Sequence, residues 1–176
     1  NVYIALWEGG TVSCFSRNPA TGLLSYRGKY VDGVDGVVLL LGPRSIAFSP
    51  DGAFVYVAAW NDDSVVVFSR NLETGELTLV NAVADEIDGV SGIGGAHSLV
   101  VTTDGKFVYV AGFSDDALTV FVRDEETGEL SFDQSVVNGE DDVVGLNGAL
   151  IVNASPDGEH VYLTSFNDRS LVAFKR

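Results

Sequence analysis

A spacing of 53 residues governs this chain. Tyr3, Tyr56, Tyr109 and Tyr162 follow one another at that interval, and so do Gly52, Gly105 and Gly158, with no insertion or deletion between them. The first 17 residues, NVYIALWEGGTVSCFSR, align without a gap on the last 17, HVYLTSFNDRSLVAFKR. A repeat of this kind is one supersecondary unit that cannot bury its apolar face alone and must stack on copies of itself. The 176 residues are therefore one array of three units and a fraction, not a set of separate domains.

One unit, from Arg44 to Ala96, reads as four short strands. RSIAFS alternates and stops at Pro50-Asp51-Gly52, where proline and glycine suit a tight turn. FVYVAAW is rich in β-branched and aromatic residues; Asn61-Asp62-Asp63 turns the chain into SVVVFSR, and Leu72 to Glu76 turns it again into LTLVNAV. A glycine-rich link, DEIDGVSGIGG, leads to the next unit. No segment has helical period. Four antiparallel strands per roughly 50 residues predict an all-β fold, a β-propeller built from 53-residue four-stranded blades. With strands lettered A to D from the axis outward, the chain reads as a partial ring of 14 strands. Residues 1–43 form a blade lacking its inner strand, 44–96 and 97–149 full blades, and 150–176 a blade lacking its outer strand.

Within these units stand the motifs SPDG (Ser49 to Gly52), TTDG (Thr102 to Gly105) and SPDG (Ser155 to Gly158), each followed by a VYV-like strand. Together with VFSR and the two ETGEL segments they resemble the lactonase-type seven-bladed propellers, the group that also holds the YVTN repeat proteins. The resemblance covers the whole chain but rests on structural motifs. It implies seven blades, roughly twice the length here, so the missing blades are expected from further sequence or from a second copy. Each open end of the arc exposes on the order of 300 Å² of sheet, about 8 kcal/mol of unrealised burial. Methionine is absent and the first residues already read as strand, so an excerpt of a longer chain is the favoured expectation.

With 25 acidic and 10 basic residues the net charge is -15, which argues against nucleic acid and anionic membranes as partners. No run approaches the ~20 apolar residues of a membrane span. The acidity fits an extracellular or periplasmic setting. Cys14 stands alone, aligned with Val67, Val120 and Ala173, and reads as a small apolar filler.

The residue opening strand A faces the propeller axis: Arg44 in GPRS, His97 in GAHS and Leu150 in GALI. The family resemblance implies arginine and histidine at the channel mouth, with Arg44 clamping a carboxylate or oxyanion and His97 serving as general base on a lactone. Leu150 departs from that pattern. Asp35, Asp88 and Asp141 recur in the glycine loops between blades and are candidate ligand-binding residues. They are also conceivable Ca²⁺ ligands, although glycine-aspartate turns need no ion and no cofactor is expected. Trp7, Trp60, Phe113 and Phe166 align at the end of strand B and are expected to pack between blades. His160 aligns with Asn1, Phe54 and Phe107 as a strand-end residue. Repetition favours a non-enzymatic binding scaffold for a small molecule or protein, since catalysis needs one asymmetric constellation. The alternative is part of a lactonase-like hydrolase acting through Arg44 and His97.

Overall fold

The computed structural model describes residues 1–176, and every regular element in it is a strand. The first sheet holds β1 (Val2–Leu6), β2 (Thr11–Arg17) and β3 (Leu24–Val31). The second holds β4 (Pro43–Phe48), β5 (Phe54–Ala59), β6 (Ser64–Arg70) and β7 (Leu77–Ala84). The third holds β8 (Ala96–Val101), β9 (Phe107–Gly112), β10 (Ala117–Arg123) and β11 (Leu130–Val137). The fourth holds β12 (Ala149–Ala154), β13 (His160–Ser165) and β14 (Ser170–Lys175). Strands pair antiparallel in sequence order within each sheet, the meander of a propeller blade.

Core residues lie between blades, because each sheet has two apolar faces. Val12 and Leu40 pack on Val55, Val57, Val66 and Phe68 between the first and second blades. Tyr56, Ala58, Val65 and Val67 meet Leu99, Val108, Val110 and Phe121 between the second and third. Tyr109, Leu118 and Val120 meet Val152, Val161 and Leu163 between the third and fourth. Cys14 is buried, its thiol 3.6 Å from the Gly75 carbonyl, in keeping with its role as filler.

A polar joint repeats beside each apolar seam. Arg70 Nε donates to the Tyr3 hydroxyl (3.1 Å) and its Nη1 to the Gly52 carbonyl (3.0 Å). One unit later, Arg123 donates to Tyr56 (2.6 Å) and to Gly105 (3.0 Å). One unit further, Arg176 donates to Gly158 (2.8 Å) and pairs with Asp104 at 2.8 Å. Burial pushes the Tyr3 hydroxyl up to about 12 despite the opposing pull of Arg70, so it stays a protonated donor to the Gly75 carbonyl. The SPDG and TTDG turns close on themselves by a second repeated device. The Asp51 carboxylate binds the Ser49 hydroxyl (2.5 Å) and the Ala53 amide (2.9 Å), and Asp104 and Asp157 do the same in their units.

Candidate functional site at the channel mouth

Strand A is irregular at one place in every blade that has one. Pro43 pairs with Ala59 and Ser45 with Ala58, which leaves Arg44 without a partner on β5. Ala96 pairs with Gly112 and Ser98 with Ala111, leaving His97 unpaired. Ala149 pairs with Ser165 and Ile151 with Thr164, leaving Leu150 unpaired. Each is the extra residue of a β-bulge, and a bulge turns its side chain out of the regular alternation. The glycine two residues earlier makes the approach possible. Gly42 has φ +67°, and a Cβ there would lie 2.9 Å from the Asn61 side chain. Its carbonyl accepts from the Trp60 amide at 2.9 Å, setting the aromatic residue beside the bulge.

Those aromatics make a continuous arch from blade to blade. Ring centroids lie 6.3 Å apart for Trp7 and Trp60, 5.0 Å for Trp60 and Phe113, and 6.5 Å for Phe113 and Phe166. The expected packing between blades is present, and the arch also holds the bulged residues. The Arg44 guanidinium sits 4.0 Å from the Trp7 ring centre and 4.8 Å from that of Trp60. At these distances the ring quadrupoles hold the cation over their faces. His97 lies between Trp60 (5.6 Å, edge-on) and Phe113 (6.4 Å). Arg44 and His97 border one cavity of about 360 Å³ together with Ala5, Trp7 and Pro43. A larger cavity, about 620 Å³, opens between the outer strands of the first two blades and shares none of these residues.

Electrostatics keep the imidazole neutral. Burial lowers its affinity for a proton, Arg44 lowers it further, and the Leu150 backbone pulls weakly the other way. Nδ1 is buried without a hydrogen-bonding partner, and the chain's one ion pair, Arg176 with Asp104, lies elsewhere. The site sets an imidazole of lowered proton affinity and a guanidinium against an aromatic wall.

The loop aspartates are placed otherwise. Asp35, Asp88 and Asp141 are exposed, each in a left-handed turn conformation with φ of 52°, 52° and 47°. They belong to successive blades and come together in no group. The side chains that bind backbone in these loops are their neighbours, among them Asp32 and Asp85, which recur in register in the sequence. Asp32, Asp85 and, in the third unit, Asn138 accept from the amides of Leu40 (3.0 Å), Ile93 (3.1 Å) and Leu146 (3.0 Å). Asp62, Asp115 and Asp168 accept from Leu41 (2.7 Å), Gly94 (2.7 Å) and Asn147 (3.0 Å). Asparagine filling the same role as aspartate shows that these positions cap backbone amides. Asp157, Glu159 and His160 do converge, within 4.8 Å, but on the surface, and Asp157 is already engaged by Ser155 and the Glu159 amide.

Fold and site together define a β-propeller blade array whose axial mouth carries bulged side chains. The family model described as "Lactonase, 7-bladed beta-propeller" matches residues 38–176, and the chain belongs to that family. The 6-phosphogluconolactonase of Bacillus subtilis (strain 168) is 34% identical over 95 residues, 54% of this chain and 27% of that protein. The periplasmic gluconolactonase PpgL of Pseudomonas aeruginosa is 27% identical and superposes with a TM-score of 0.64, over 78% of this chain and 36% of that one. Hydrazine synthase of Kuenenia stuttgartiensis shares the fold alone, with a TM-score of 0.66 at 22% identity, over 98% of this chain and 42% of that one. The chain thus spans about a quarter of the Bacillus relative and well under half of these solved structures. The scaffold reading finds no support among the named lactonases. They favour the alternative.

Proposed function

We propose that this chain carries part of the active site of a lactone hydrolase, with Arg44 and His97 as its chemical groups. The observation that supports this reading best is the pair of bulges that bring both side chains to one cavity, bordered also by Trp7. A neutral imidazole accepts a proton from water as that water attacks the lactone carbonyl carbon. The guanidinium donates to the oxygen on which negative charge develops. The acyl carbon–ring oxygen bond then breaks, the imidazolium returns its proton to the leaving oxygen, and the product is an open hydroxy acid. Trp7 borders the same cavity and offers apolar surface to the carbon skeleton of the ring. The Bacillus and Pseudomonas names support a sugar lactone, and the latter supports a periplasmic setting for so acidic a chain.

The test is to follow acid release from glucono-1,5-lactone, its 6-phosphate and an aromatic lactone, each against spontaneous hydrolysis. Turnover is expected, reduced about 10²–10⁴-fold by His97→Ala. It should fall as pH drops below the ordinary imidazole value of 6.5, because the depressed proton affinity of His97 keeps the base neutral until then. Absence of turnover on all three lactones, or turnover indifferent to His97→Ala, defeats the reading.

A further inference from the structure

Three successive amides just ahead of β8 are each held by a different carboxylate. The Ile93 amide donates to Asp85 (3.1 Å), the Gly94 amide to Asp115 (2.7 Å) and the Gly95 amide to Asp63 (2.6 Å). Asp63 lies in the turn after β5, Asp85 in the loop after β7 and Asp115 in the turn after β9, so two blades grip one strand entrance. Carbonyls of the same stretch are engaged too: Gly94 accepts from the Ser114 amide (2.9 Å) and Gly95 from the Phe113 amide (3.2 Å). Ile93 is fully buried in the seam between the second and third blades. Ala96 follows, also fully buried and paired with Gly112, and then comes the bulged His97. The segment therefore sets both the backbone of His97 and Phe113, one of the rings beside it.

The equivalent segments are held differently. Before Arg44, Asp32 and Asp62 take the Leu40 and Leu41 amides, but Gly10 stands in register with Asp63 and has no carboxylate to offer Gly42. Before Leu150 the three acceptors are Asn138, Asp168 and Asp116. Ahead of His97 all three are charged, and an ionised acceptor holds an amide more tightly than a neutral one. Glycine permits the close approach: a Cβ on Gly94, where the other segments carry Leu41 and Asn147, would stand 2.5 Å from an Asp115 carboxylate oxygen. The arrangement also has a cost. Burial raises the Asp85 carboxyl, the Ile93 amide opposes that, and Asp115, Glu86 and Asp63 push it up further.

We propose that Asp63, Asp85 and Asp115 are positioning residues, which fix His97 at the channel mouth by clamping the backbone from Ile93 to Gly95. The kinetic consequence rests on His97 being the base of a lactone hydrolase, whereas the placement of the imidazole belongs to the fold itself. A general base shifted by a fraction of its working distance loses rate without loosening the substrate.

The test reads placement and rate separately. Imidazole titration of the chain is followed by NMR, with His160→Gln identifying which ring signal belongs to His97. In the parent, burial and Arg44 hold His97 below 6.5. Asp63→Gly removes one carboxylate without strain, since Asp63 has φ 48° and Gly10 fills the same place in the first blade at φ 52°. A loosened imidazole gains water, so its midpoint should rise toward 6.5, whereas loss of a negative charge alone would lower it. Asp85→Ala and Asp115→Ala should act likewise, and Asp63→Asn, which keeps an acceptor as Asn138 does, should restore the parent value. On whichever lactone is turned over, the three disruptive variants should lower kcat about tenfold with KM within about twofold. Asp116→Gly takes the same bond from Gly148 one blade later and should leave midpoint and kcat unchanged. Circular dichroism checks folding, and Asp115→Ala carries the test should Asp63→Gly unfold. A His97 midpoint that stays at the parent value in the disruptive variants overturns the proposal, as does an equal shift in Asp116→Gly. If no lactone is turned over, the hydrolase reading falls and the midpoints alone decide the clamp.

Discussion

The two ends of each blade obey opposite rules. At the end carrying the SPDG and TTDG turns, the same side chain does the same job in every unit: Asp51, Asp104 and Asp157 close the turn, and Arg70, Arg123 and Arg176 reach a glycine carbonyl. At the channel mouth the geometry repeats and the chemistry does not. One bulge holds arginine, the next histidine, the third leucine. The backbone ladder resumes on either side of a bulged residue, so its side chain is free of any pairing rule and can differ from blade to blade. Where a repeat protein repeats its residues, it is holding itself together. Where it repeats only the conformation, it has room for a function.

Substitutions can break or sharpen that contrast. The largest stability effect is expected at Arg123, which is 5% exposed and holds the Tyr56 hydroxyl and the Gly105 carbonyl. Arg123→Ala should lower the unfolding free energy by about 3 kcal/mol in a urea titration, since it strands buried polar groups. Arg70→Ala removes the same joint where it is only half-buried and should cost about 1–2 kcal/mol. If the two were equal, burial would not be the deciding term.

A smaller effect should appear with pH at the exposed Arg176–Asp104 pair. Burial, the largest single influence, raises the Asp104 carboxyl, but the Thr102 hydroxyl, Arg176 and the Lys106 amide together outweigh it and bring it to about 2, from an ordinary value of 3.8. Because the folded value is depressed, its stabilisation is complete above pH 3.8 and is lost as pH falls toward 2. Asp104→Asn should remove part of that acid loss in thermal melts and leave the neutral-pH stability within about 1 kcal/mol. At the mouth, Arg44→Ala should change stability by no more than about 0.5 kcal/mol while abolishing whatever activity the lactone assay detects. Unfolding on that substitution would make Arg44 a strut of the aromatic arch and dissolve the contrast.

The sequence carried the fold because one period, repeated without slippage, overdetermines every strand. Tyr3 to Tyr162 and the turns before them set the register of four sheets at once. It carried Arg44 and His97 only as far as their position at the head of strand A. That each is an extra, unpaired residue is a matter of how β4 and β8 align with their neighbours, and hydrophobic alternation over six residues does not reveal it. The loop aspartates are a related case. Asp32 and Asp88 look alike in a list of acidic residues, but only the first faces a free backbone amide, and a three-residue shift in a tight loop decides which. Asn138 in register with Asp32 and Asp85 was the available clue that charge is not what those positions need.

One thread around the axis has a structural consequence. The Leu99 amide donates to the Ser45 hydroxyl and the Val152 amide to the Ser98 hydroxyl, each at 3.3 Å, so the innermost strands are laced directly to one another. The third loop of that lacing is missing, because Ile151 stands where a serine would. Whatever blade follows there meets grease instead of a hydroxyl. Any ring completed with this arc therefore lacks, at Ile151, the hydroxyl-to-amide link that Ser45 and Ser98 make.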